Sequence, residues 1–170
     1  MKKFILIISL LLLASCSNQD ANYEGAPLNI AVIGDVPEMN NEKITFKTIT
    51  LEEFNEKHLE AASELDAVMI TPGMFEKASE DRFIEVYINS KLPIIFFDSP
   101  KRHIPFVNEN LTYKTALSKS LDNGSHTTIY LNSYLADVED NKQDAWYFYL
   151  KDEKTLDELY EDVFRKIEEL

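Results

Sequence analysis

The sequence predicts a single α/β domain: a mixed, mainly parallel sheet with helices on both faces and an antiparallel, tyrosine-rich strand pair near the C-terminus. Three observations lead there. Leu28–Gly34, Ala67–Ile70 and Pro93–Phe97 are short, dominantly apolar runs closed by Gly, Thr-Pro-Gly or Asp-Ser-Pro, which suits strands buried on both faces. The segments between them carry apolar residues at helical spacing, giving the alternation of strand and helix that covers a parallel sheet on both sides. Beyond residue 125 the chain changes character, with Tyr130, Tyr134, Tyr147 and Tyr149 in two extended runs.

The elements follow in order. Leu28–Gly34 reads as a strand. Ile44–Ile49 alternates apolar and polar, the pattern of a strand with one wet face. Only Val36–Lys43 lie between the two, fewer than the dozen or more residues of a usual parallel crossover. The pair is therefore either antiparallel or joined by a bare loop or single turn. Thr50 and Glu53 form a capping box, followed by an apolar stripe through Leu51, Phe54, Leu59, Ala62 and Leu65. Ala67–Ile70 is a buried strand, and Met74–Asn89 a helix with Phe75, Ala78, Phe83, Val86 and Tyr87 inward. Pro93–Phe97 is the next strand, and Thr112–Leu121 a short helix. Thr127–Tyr134 and Ala145–Leu150 flank the acidic loop Asp137–Asp144 and are expected to pair antiparallel. A second capping box, Thr155 with Glu158, opens a terminal helix lined by Leu156, Leu159, Tyr160, Val163, Phe164, Ile167 and Leu170.

The chain has 170 residues, with 17 Lys and Arg against 30 Asp and Glu, and a formal net charge of −13. That length makes one domain with a substantial core. The acid excess argues against nucleic acid as a partner, because a phosphate backbone demands a basic surface. The single cysteine, Cys16, excludes a disulfide framework and any cysteine-cluster metal site. No cofactor is expected, and His58, His103 and His126 share no metal-ligand spacing.

Residues 1–16 read MKKFILIISLLLLASC. Lys2 and Lys3 precede an uncharged apolar run, Phe4–Ala14, too short to span a bilayer and suited to a signal peptide. The run ends in Leu13-Ala14-Ser15-Cys16, which resembles the lipobox of bacterial lipoproteins. The resemblance implies that residues 1–15 are a signal peptide, that Cys16 receives acyl groups, and that the protein is held on the extracytoplasmic face of a bacterial membrane. Two acyl chains suffice for stable anchoring. Removing Lys2 and Lys3 takes the net charge from −13 to −15, so lipid rather than the body's surface would hold the protein there. Residues 16–26 read as a flexible, lipid-anchored tether, and residues 27–170 as the globular domain.

The stretch LDAVMITPG…KLPIIFFDSP resembles a half-lobe of periplasmic sugar-binding proteins and of flavodoxin-like folds. In open α/β sheets, ligands sit beyond the carboxyl ends of the strands. If the three apolar strands are parallel neighbours, Gly34-Asp35, Thr71-Pro72-Gly73 and Asp98–His103 meet on one rim. Asp35, Asp98, Arg102 and His103 are the candidate ligand-rim residues. The competing reading is that these residues stand there for turn chemistry alone.

No nucleophile elbow or phosphate loop occurs. Asp137, Glu139 and Asn141 alternate as at the start of a calcium loop, but Lys142 stands at the glycine position and Phe148 at the twelfth. The tyrosines, at same-parity positions within each strand, are either an exposed binding patch or core beneath the last helix, and core is the expectation. The function expected is a non-enzymatic, lipid-anchored binding or interaction module of the cell envelope. Its partners are the membrane, through the acyl groups on Cys16, and an envelope protein or a small ligand. The alternatives are a small-ligand receptor using the rim and a hydrolase using Asp35 and Asp98.

Overall fold

The computed structural model describes residues 23–39, 41–57, 64–116, 121–132, 144–151 and 153–170. Cys16, His58, Leu59, Ala62, Tyr134 and residues 137–143 of the acidic loop lie outside them. Six strands form one sheet: β1 (Leu28–Ile33), β2 (Ile44–Thr48), β3 (Ala67–Ile70), β4 (Ile94–Phe96), β5 (Thr127–Tyr130) and β6 (Ala145–Phe148). Their spatial order is β2-β1-β3-β4-β5-β6. β2, β1, β3 and β4 run parallel. β5 is antiparallel to β4, and β6 to β5.

β2 is parallel to β1, in register Leu28 to Ile44 and Val32 to Thr48. Of the two arrangements open from sequence, the bare connection is the one adopted. Turns replace a crossover helix in its described part, and Met39 leans on the sheet.

Both faces of the sheet are covered. On one, Ala31, Ile33, Val68, Ile70, Ile94 and Phe96 pack under α1 (Leu51–Lys57), α2 (Phe75–Ala78), α3 (Ile84–Ile88) and α4 (Ile104–Val107). Phe96 and Phe106 stack at 4.0 Å. On the other, Ile30, Val32, Met69, Ile95 and Ile129 meet α5 (Leu156–Glu168). Buried side chains of this size contribute about 1.5–3 kcal/mol each, and the period-2 alternation of each strand serves both faces at once. The capping box of α5 is formed, with Thr155 Oγ1 accepting from Glu158 N–H and Glu158 accepting from Thr155 N–H. Leu159, Val163 and Phe164 are fully enclosed.

Three sequence expectations need correction. The helix expected over Met74–Asn89 is broken into a 3-10 turn (Pro72–Met74), α2, a second 3-10 turn (Asp81–Phe83) and α3. The cause is competition for carbonyls. Tyr87 Oη donates to Ala78 C=O at 2.8 Å and Ser79 Oγ to Glu76 C=O at 2.9 Å, where a continuous helix would place Arg82 and Glu80 N–H. The helix expected at Thr112–Leu121 is, in its described part, one turn closed by Ala116 N–H to Thr112 C=O. Finally, Tyr23, expected in the tether, belongs to the packed body. Tyr23 is 2% exposed. Its hydroxyl donates to Ala26 C=O and to Glu168, and its carbonyl accepts from Asn41 Nδ2 at 2.9 Å. One aromatic residue in a polar stretch has no periodicity to reveal it, so sequence pattern alone assigned it to the tether.

Candidate functional site

β1, β3 and β4 are parallel neighbours, so Asp35, Thr71 and Asp98 follow strands that end on one rim. On that rim Asp35 and Asp98 meet different neighbours. Asp35 is beside the turn after β3: a Cβ placed on Gly73 would lie 3.8 Å from Asp35 Oδ2. Asp98 follows β4, two strands away, roughly 10 Å at the usual spacing. Its Oδ1 is 3.5 Å from Nε2 of His126, which precedes β5.

His126 Nδ1 is in turn 2.9 Å from Thr127 Oγ1. This is a carboxylate–imidazole–hydroxyl chain that sequence spacing gave no reason to expect. Burial pushes the His126 pKa below its ordinary value, and the charge of Asp98 opposes that shift. Thr127 is fully enclosed, so its hydroxyl has no route to a substrate carbonyl. Nucleophilic catalysis needs an accessible hydroxyl beside its base, and this chain serves to join β4 to β5.

Arg102 and His103 turn to a different neighbourhood. Asp98 and Arg102 have φ of 52° and 59°, a left-handed conformation that costs a non-glycine residue roughly 1–2 kcal/mol. The two reversals bracket the loop and aim His103 onto the tyrosines of β5 and β6. The His103 ring stacks on Tyr130, centroids 5.1 Å apart, and on Tyr147 at 6.2 Å. Its Nδ1 is 3.5 Å from Tyr147 Oη. Burial, aided by the Arg102 charge, lowers the His103 pKa to about 4, so the ring is neutral at pH 7. The Arg102 guanidinium carbon lies 5.8 Å from the centre of the Tyr147 ring, within cation–π range.

Tyr130, Tyr147 and Tyr149 are not covered by the last helix. Register places Tyr130 and Tyr147 on the face that carries Phe96 and α4, and alternation puts Tyr149 there too. α5 covers the opposite face, where Trp146 and Phe148 pack. Lys166 of α5 holds its ammonium 5.0 Å from the Trp146 ring. Among the described residues β6 is thus an edge strand whose two faces both carry aromatic rings, all half-buried. A shallow concavity of about 700 Å³ follows it, lined by the whole strand together with His103, Asp144, Tyr149 and Lys166. Same-parity spacing revealed the shared tyrosine face. Trp146, Phe148 and Lys166 were missed, because membership in a site at the sheet edge depends on strand order.

Among the described residues no group of three His, Cys, Asp or Glu side chains is placed to hold a metal ion, and no helix is long and apolar enough to cross a membrane. Compared with models of known protein families, with curated proteins and with solved structures, the chain matches none.

Proposed function

We propose that the protein is a lipid-anchored binding module of the bacterial cell envelope. Acyl groups on Cys16 hold it to the membrane, and its aromatic sheet edge engages another envelope protein. The observation that carries the second part is β6: an edge strand with Trp146, Tyr147 and Phe148 half-exposed in sequence. Tyrosine and tryptophan give contact area at little entropic cost, and such residues dominate interface energetics. A sheet edge adds backbone groups that a partner strand can pair with.

Charge selects the partner's chemistry. The chain carries −13 overall, and α5 bears Glu158, Glu161 and Asp162, the last two paired with Arg165 and Lys154. A second copy of the chain would be repelled by this field, whereas a basic segment would be steered in. The occupant is a Lys- or Arg-bearing segment of an envelope protein.

The test is purification of the lipidated protein from membranes beside a Tyr147→Ala variant of unchanged melting temperature. One stoichiometric partner with a basic segment should follow the wild type. The variant should lose it by roughly tenfold or more, the mark of an interface hot spot. Equal recovery by both would overturn the assignment of β6.

A further inference from the structure

We infer that the amino-terminal ends of the parallel strands face the membrane, and that the rim bearing Asp35, Asp98 and His126 faces away from it. The inference rests on the lipid anchor proposed above and adds the body's orientation. The fixed point is Tyr23. Its carbonyl is held by Asn41 and its hydroxyl by Ala26 and Glu168, and Ala26 N–H donates to Glu168 Oε1 at 3.0 Å. Its ring packs against Phe164. Leu28 N–H then pairs with Lys43 C=O at the start of β1. The chain thus enters the body at one place, beside the last turn of α5 and the first residues of β1 and β2.

Seven peptide units separate Cys16 from Tyr23, a span of at most about 25 Å fully stretched. β1 is six residues long, so the rim at its far end stands about 20 Å from the entry point. Rolling the body to lay that rim on the bilayer would lift Tyr23 by the same 20 Å. That uses nearly all of the fully stretched span, which seven peptide units reach only in very few of their conformations. With the entry end down no such stretch is required. Asp144 and Ala145, at the start of β6, then lie toward the membrane, and Tyr149 and Leu150 point outward.

The test uses the full-length lipidated protein on vesicles that contain a nickel-chelating lipid. Spin labels are placed on Lys91→Cys, exposed just before β4 at the entry end, or on Val36→Cys, 43% exposed beyond β1. Acylated Cys16 does not react with the label. The expected result is several-fold stronger relaxation by nickel at position 91 than at 36, with the difference removed by a Gly/Ser insertion after Ser17 that doubles the tether. Bound protein with equal relaxation at both positions overturns the orientation and leaves the anchor standing. Protein that stays off the vesicles overturns the anchor and the orientation with it.

Discussion

The ring of Tyr23 stands edge-on to that of Phe164, centroids 5.8 Å apart and planes at 67°, so the first described residue is clasped to the last helix. Phe164 is fully enclosed and Tyr23 2% exposed. Phe164→Ala should cost about 3–5 kcal/mol, and Tyr23→Ala a comparable amount. Because the rings touch, the double variant should fall short of additivity by about 0.5–1.5 kcal/mol. A chain starting at Pro27 should melt below one starting at Tyr23. Denaturant unfolding checks all three, and a Phe164→Ala change under about 0.5 kcal/mol would contradict burial of the stripe.

Acid should destabilise the fold before its carboxylates are protonated. His103 has a folded pKa of about 4 against an ordinary 6.5, so between those values the unfolded chain binds more protons. Its contribution is complete above about pH 6.5 and is lost as pH falls toward 4, up to about 3 kcal/mol. The charged groups acting on it are Arg102, which lowers its pKa, and Asp144, which raises it. His126 is shifted in the same direction and adds to the slope. His103→Phe keeps a ring on Tyr130 and removes the proton site. Stability measured from pH 7 to pH 4 should fall less steeply in that variant, and an unchanged slope would contradict a buried neutral His103.

Much of the fold was legible in the residues. β3 stands at Ala67–Ile70 as its apolar run and the Thr71-Pro72-Gly73 stop required, and Thr155 with Glu158 begins α5 where the capping box placed it. Both are local signals. The failures are non-local. Met74–Asn89 has helical periodicity, and the bonds of Tyr87 Oη to Ala78 C=O and of Ser79 Oγ to Glu76 C=O compete with it. Asp35 and Asp98 did share a rim, as parallel strands dictate. Which neighbour each carboxylate meets depends on strand spacing and on the reversal at Asp98, neither of which a single sequence encodes locally. Tyr147 was identified, but its cover was misjudged, because parity tells which residues share a face and not which helix lies over it.

The lipobox makes a direct chemical prediction. Cells fed a palmitate analogue should label the wild-type protein and leave Cys16→Ala unlabelled. The unacylated variant should also leave the membrane fraction, since the acidic body has no charge attraction to anionic lipid. Equal labelling of the two proteins would contradict acylation at Cys16.

The most direct test of the central claim is site-specific photocrosslinking in living cells. A photoreactive residue is placed at Tyr149 beside β6, or at Glu85 on the exposed side of α3 as a control. A lipid-anchored module that docks through its aromatic edge should give one discrete protein adduct from position 149. That adduct should be absent from position 85 and strongly reduced when Cys16→Ala removes the anchor. An adduct of equal yield from both positions, or none from 149 in the acylated protein, would contradict the account.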